Sequence, residues 1–411
     1  MSARPHSGHP AVGAVIYSPG QAPEALMADF AAELAGRGFR LGGLLQETIR
    51  AKDGRKTDMV VTEIDSGRRL SIGQSLGKGS NACILDHQAL AEASGAIRRA
   101  IDIGVDLLLF NKFSKSESER RGLVAEMQAA IAVGVPMLTP VPGALIAEWN
   151  AFAGDHADLV APTMDALWRW WGARHLVADL ALGVGDGAAR RVVIGLNWTL
   201  VEGPDGVGLA QTPERGAPGC RAVPEAGKRA GTSLRELAAL VHSDNPFEVA
   251  LGVAACNAHY NRFDLTAESG NGLDGFGGID GPAVVVGAFP GIAERLPGAK
   301  VIDRRPGPGQ FPEEAAETLL PTAEVAILTA ATLANRSLPR LLGLARHARV
   351  ALVGPGAPLS GRLFTYGVEA SSGLIAEDAD GLARTVAEGG GARDLKRHCR
   401  PATVRRSGGG R

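Results

Sequence analysis

Residues 77 to 87, GKGSNACILDH, put flexible glycines, neutral hydrogen-bond donors and a thiol into one short stretch. Gly77 and Gly79 let the backbone turn sharply, Ser80 and Asn81 add uncharged donors, and Asp86 is placed to cap a following helix. That set suits a tetrahedral oxyanion or a phosphate. It has no lysine after its second glycine, and VIYSPGQAPEAL, where a P-loop would fall, lacks the GxxxxGKS/T core, so that stretch offers no lysine for the β- and γ-phosphates and no adjacent hydroxyl for magnesium. Cys83 reads either as a ligand for a thiophilic metal or as a small buried hydrophobe beside Ile84 and Leu85.

Three other places invite the same question. Ser18, Gly20 and Gln21 follow an apolar strand and precede a helix, where backbone and side-chain donors can meet an anion. Asn111, Lys112 and Lys115 end the apolar strand VDLLLF, at the sheet edge where ligands gather, and read equally as a solvated loop. Further on, Asn197 and Thr199 alternate with apolar neighbours on a strand that pairs with Gly208 to Thr212, and Asn257 lies on an apolar helix. Each of these reads as a structural hydrogen-bonder or as part of a cleft. Cys256 and His259, three apart on that helix, share a face and could join a metal site, although no HxxH or HExxH spacing accompanies them.

In the last third of the chain, VVVGAFPG stands where a dinucleotide fingerprint would fall. It keeps Gly287 and Gly291 but inserts Ala288, Phe289 and Pro290, so no NAD site of the usual kind is expected. Asp303 ends the second strand, where an acid would contact ribose hydroxyls or form surface pairs with Arg304 and Arg305. Thr329, Thr332 and Asn335 follow the third strand, and Gly354 and Pro355 the fourth. All fall on the carboxyl side of one sheet, which makes a ligand pocket there the firmest expectation.

The elements that must position these residues alternate between strand and helix. An apolar strand, a helical pattern ended by Gly38, a second strand, a hairpin around Asp65 to Gly67, and helices over 86–103 and 120–132 define a three-layer α/β domain over 1–172. A middle α+β segment over 173–264 carries two strands joined at Gly203 to Gly206 and two helices. Alternation then resumes over 265–411 as a doubly wound, Rossmann-like sheet. Trp168, Trp170 and Trp171 close the first domain as a hydrophobic plug or a stacking platform.

Composition narrows the function classes. Forty-three basic residues against 44 acidic ones leave a formal charge of −1, so no global field recruits nucleic acid or an anionic membrane. The seven Lys and Arg after Gly389 read as a solvated terminus. The four widely spaced cysteines point to a reducing cytoplasm. No apolar run approaches the roughly 20 residues that span a bilayer.

LLQET, LGKGSNACILD, DLLLFNKFSKSE and GVPMLTPV, in that order, resemble a bacterial family with a nucleoside-triphosphatase-like, P-loop-like fold whose genes lie beside those for molybdate transport. The resemblance covers about residues 10–172 and implies a link to molybdenum or to a nucleotide. VVIGLNWTLVE, EVALGVAACNA, AVVVGAFPG, VIDRRP, LLPTAEVAILTAATLAN and ALVGPGAPL resemble a family described as heavy-metal chelation proteins, over about 175–390. It joins an enolase-N-like domain to a Rossmann-like one, with the presumed site between them. The combined expectation is a protein that binds molybdate, another oxyanion or a heavy-metal chelate in metal homeostasis or cofactor assembly. Its partners would include a metal-transport or cofactor-assembly protein and a second copy of itself. The alternative is a transferase or lyase acting on a nucleotide-bearing or small organic substrate in the interdomain cleft.

Overall fold

The computed structural model describes residues 11–54, 56–75, 83–154, 157–216, 218–219, 221–270, 273, 275–276, 281–289 and 291–406, the side chains of 74, 75, 83, 84, 87 and 293 excepted. Gly77, Gly79, Ser80, Asn81 and Pro290 lie outside the described residues, and Cys83 is described by its backbone alone. The chain divides after Trp170 into two compact units.

The first unit runs through β1 (Val12–Tyr17), α1 (Pro23–Gly36), β2 (Leu41–Arg50), β3 (Lys56–Glu63), β4 (Arg69–Ser71), β5 (Gly73–Ser75) and β6 (Cys83–Leu85). It continues with α2 (His87–Ile103), β7 (Leu107–Leu109), α3 (Lys115–Ser118), α4 (Val124–Val133) and β8 (Met137–Pro142). α5 (Ile146–Ala153), β9 (Ala157–Val160) and α6 (Met164–Trp171) follow. Seven strands form one sheet in the order β4-β3-β2-β7-β8-β1-β9, in which β2, β7, β8, β1 and β9 are parallel. Both faces are covered, as a parallel sheet requires. Leu108, Phe110, Met137 and Val141 enter one core with Ile97, Met127 and Trp149 from α2, α4 and α5. On the opposite side of the pleat, Leu107, Leu109 and Leu138 are also fully buried. A Cβ on Gly13 would meet Leu138 and Trp170 there, and Trp168 packs edge-on against Phe30 of α1 at 5.5 Å. The expected three layers are therefore present. Asp86 caps α2 as its position suggests, accepting from the N–H groups of Gln88 and Ala89 at 2.9 and 3.0 Å. The helix expected over 120–132 begins later, at Val124, because a capping box at Ser114 and Glu117 spends the preceding residues on the short α3.

The second unit begins with α7 (Leu176–Leu182), β10 (Arg191–Ile194), β11 (Trp198–Glu202), β12 (Val207–Gln211), α8 (Leu234–Ala238) and α9 (Pro246–Tyr260). Next come β13 (Ala283–Val286), α10 (Ile292–Arg295), β14 (Lys300–Ile302), α11 (Ala316–Leu319), β15 (Val325–Thr329), α12 (Ala331–Ala334) and α13 (Leu338–Leu344). β16 (Arg349–Val353), β17 (Val368–Ala376), α14 (Ala379–Ala387), α15 (Ala392–Leu395) and β18 (Cys399–Arg405) end it. Strands β10, β11 and β12 make an antiparallel sheet. The second sheet has the order β14-β13-β15-β16-β17-β18, parallel except for β18. From β13 the chain steps one way to β14 and then back across to β15. That reversal is the topological switch point of a doubly wound sheet, and ligands bind outside the carboxyl ends of its strands.

One of this unit's apolar clusters joins the antiparallel sheet to the edge of the second. Leu200, Val207 and Leu209 of the antiparallel sheet pack with Leu374 and Ala376 of β17 and Leu382 and Val386 of α14. Helix α9 is buried over every residue from Val249 to Ala258, which marks a helix covered on all sides. β12 lies directly on it, since a Cβ on Gly208 would stand 1.9 Å from the carbonyl oxygen of Ala254. Asn257 of α9 and Asn261, the residue that caps its C-terminus, sew the two sheets together. Asn257 donates to the carbonyls of Leu209 (2.7 Å) and Gly356 (2.8 Å). Asn261 donates to Ala357 (3.0 Å) and Leu374 (3.3 Å) and accepts from the Leu359 N–H (2.9 Å).

Candidate functional site

The switch point opens onto a cavity of about 770 Å³. One wall comes from the end of β12 and the chain beyond it, with Gln211, Thr212 and Glu214, and from Asp244, Pro246 and Val249 at the start of α9. The opposite wall is built by the carboxyl ends of three strands: Gly287 and Ala288 after β13, Asp303 to Arg305 after β14, and Thr329 at the end of β15, with Thr332, Asn335 and Arg336 behind it. Four sequence candidates, Gly287, Asp303, Thr329 and Asn335, thus meet in one place. Gly354 and Pro355 are not part of these walls; Gly354 closes a turn, donating to Ser372 O and accepting from the Ala357 N–H, each at 3.0 Å.

Local chemistry fixes the strand-end wall. Gly287 has φ +96°, and a Cβ there would come within 2.8 Å of the Thr329 Cβ, so only glycine lets β13 and β15 end side by side. The Asp303 carboxylate accepts from the Ala288 N–H through one oxygen and from the Arg305 N–H through the other, both at 2.9 Å. Its oxygens hold the two loops in place. Thr332 donates to Thr329 O at 2.6 Å, while Asn335 Oδ1 accepts from Ser337 N and Oγ at 3.0 and 2.6 Å. The Asn335 amide nitrogen has no bond to any described residue and remains a donor for the cavity.

Three guanidinium groups bridge or flank the space. Arg336 stands in the left-handed region at φ +63° and donates across to Val241 O, at 2.9 Å, and to Ser243 O. Holding a side chain there costs about 1–2 kcal/mol, which the two carbonyl contacts offset. Arg305 pairs with Glu214 at 2.6 Å, and Arg304 with Glu313 at 3.3 Å. Sequence reasoning missed Glu214, Asp244 and Arg336 as cavity residues and read Arg304 and Arg305 as surface groups. Only the pairing of β12 and α9 with the second sheet brings them together, and nothing local signals that.

The other candidates go elsewhere. Thr199 is fully buried and shares a hydrogen bond with Thr212 at 3.0 Å, and Asn197 donates to Gly389 O at 2.7 Å. Asn257 spends both amide hydrogens on the sheet carbonyls already described, and its Oδ1 has no partner. Cys256 and His259 do not form a metal site among the described residues, where no group of three His, Cys, Asp or Glu gathers. Burial pushes the Cys256 thiol up to about 12, so it stays protonated. Burial also lowers His259, followed by the charges of Arg262 and Arg362.

In the first unit, Ser18 and Gln21 close on each other: Ser18 N donates to Gln21 Oε1 at 2.7 Å and Gln21 N to Ser18 O at 3.1 Å. Gly20, at φ +90°, completes that turn. Asn111 and Lys112 diverge, the first donating to Gln46 of β2 at 3.2 Å, the second lying over the Tyr17 ring of β1 at 5.4 Å. Two strands separate those partners. The tryptophans serve packing: Trp168 donates to Glu33 at 2.9 Å beneath Arg37, and Trp171 stacks on His175 at 3.6 Å.

The molecule is thus a three-layer α/β unit followed by an α+β segment fused to a Rossmann-like sheet, with the cavity just described at that sheet's carboxyl edge. Residues 12–170 match the family described as "Protein of unknown function (DUF2478)". Residues 177–260 and 279–405 match two families, DUF4213 and DUF364, each described as "Putative heavy-metal chelation". Over 160 residues the chain is 40% identical to "Molybdenum import ATP-binding protein ModC 2" of Bradyrhizobium diazoefficiens; this is 39% of the chain and 18% of that protein's length. A DUF364-family protein of unknown function from Desulfitobacterium hafniense aligns over 57% of this chain and 99% of its own, at 26% identity and a TM-score of 0.51. Another from Pyrococcus horikoshii covers the same shares at 19% identity and a TM-score of 0.49. No helix among the described residues is long and apolar enough to cross a membrane.

Proposed function

We propose that this protein binds a metal that is already coordinated, as an oxyanion or an organic chelate, in the switch-point cavity. The observation that carries the reading is the composition of the walls. They offer both signs of charge and neutral donors such as the Asn335 amide, yet the described residues hold no three-ligand cluster for a bare ion. A metal wrapped in oxygen ligands needs hydrogen-bond donors and cations around it, not thiolates or imidazoles.

The family descriptions support a metal role for the second unit, and the stretch shared with a protein named for molybdenum import supports one for the first. Both support a place in metal homeostasis or cofactor assembly. Calorimetry of the full chain with molybdate, tungstate, sulfate and ferric citrate tests the reading, alongside metal analysis of the purified protein. Saturable heat with a metal species, lost on Asn335→Leu, is expected. No heat with any of the four and no co-purified metal would overturn it.

A further inference from the structure

Arg305 and Glu214 face each other from opposite walls of the cavity, the guanidinium Nη2 2.6 Å from the carboxylate Oε2. Both side chains are largely exposed, at 78% and 73%. We propose that Arg305 is the receptor for an acid group on the ligand and that Glu214 is its placeholder, displaced when the ligand enters. The proposal rests on the coordinated-metal reading above and deepens it: the ligand is a chelate whose periphery carries a carboxylate or an equivalent oxyanion.

Three features support the exchange. The Arg305 backbone is pinned, since its N–H donates to Asp303 at 2.9 Å, so the guanidinium works from a fixed root. Glu214 sits three residues beyond the end of β12 and is free to withdraw: its carboxylate has no partner but Arg305 among the described residues. An ion pair this exposed contributes little, so trading one carboxylate for another costs little, whereas leaving Arg305 without an acid partner loses the interaction altogether. The other two arginines are held differently. Arg304 pairs within its own wall with Glu313, and Arg336 is bound to carbonyl oxygens. Of the three, only Arg305 has an acidic partner on the facing wall.

Calorimetric titration of the full chain with ferric citrate, for wild type, Glu214→Gln, Arg305→Gln and the double variant, tests this. Removing the competing acid should tighten binding roughly three- to ten-fold, and removing the receptor as well should abolish that gain. The double variant should match Arg305→Gln alone, because Glu214 competes only through Arg305. Thermal melts of all four should coincide, since the pair is exposed. Equal affinity of wild type and Glu214→Gln, with binding intact, would overturn the placeholder and leave the cavity reading standing. A gain from Glu214→Gln that persists without Arg305 would also overturn it, by showing general charge repulsion. Absence of binding in every form, with molybdate as well as ferric citrate, would overturn both readings together.

Discussion

At the carboxyl end of the first parallel sheet, Asn111 keeps a buried oxygen without a partner among the described residues, and within the same unit the Thr139 hydroxyl and the Trp149 indole nitrogen are buried and likewise unpaired among them. At the carboxyl end of the second, Asp303, Thr332 and Asn335 each bond to neighbouring backbone, and a cavity opens between them and α9. The first edge has polar groups that point apart and a turn closed on itself. The second has polar groups fixed by one another around a shared space. A strand end becomes a site when its polar residues are oriented by neighbours, and their mere presence in a motif does not do this.

Substitutions can break or sharpen the contrast. The largest effect is expected from Asn257→Leu, which strands the carbonyls of Leu209 and Gly356 in a buried seam; urea unfolding should show a loss of about 2–5 kcal/mol. A loss below about 1 kcal/mol would mean that the apolar core alone joins the two sheets. Next comes a pair of glycines with similar backbone angles. Gly287→Ala should cost about 2–4 kcal/mol and abolish ligand heat, because strain adds to the contact with Thr329, whereas Gly20→Ala meets nothing within 4 Å and should cost only about 1–2 kcal/mol. Equal costs would erase the distinction between the two edges.

Acid should also separate the units. His175, stacked on Trp171, is pushed down to about 3 by burial and then by the charge of Arg174. Its folded value lies below its unfolded one, so the unfolded chain binds the extra proton between about pH 6.5 and 3 and stability falls as pH falls through that window. The slope is at most about 1.4 kcal/mol per pH unit, and His175→Gln should flatten it in pH-dependent melts. The smallest effect is the most telling for the first unit. Thr139→Val removes a buried hydroxyl that bonds to nothing among the described residues and should raise stability by about 1 kcal/mol. A fall instead would show that the hydroxyl is partnered in the folded protein.

Much of the second sheet was legible in the sequence. Each Val-rich run there is flanked by the glycine, aspartate or threonine that ends a parallel strand, and Gly287, Asp303, Thr329 and Asn335 could be placed at one edge by that pattern alone. Asp86 was legible as a cap for the same local reason. The facing wall was not, because Glu214, Asp244 and the helix carrying Asn257 reach the cavity through contacts that join residues about 50 to 100 apart. The same applies to Cys256 and His259: helical spacing places them on one face, but only the fold decides that the face is dry.

The two asparagines of α9 bear on how this half of the chain is inherited. Cut between the antiparallel strands and the doubly wound sheet, α9 would lose the carbonyls that its amides serve, and the remaining sheet would expose the core it shares with β11 and β12. Neither piece is a natural cassette. The Desulfitobacterium hafniense chain, which aligns over 99% of its own length with 57% of this one, is what a lineage carrying the second half intact would look like. The seam at Asn257 and Asn261 binds the parts of the second unit to one another.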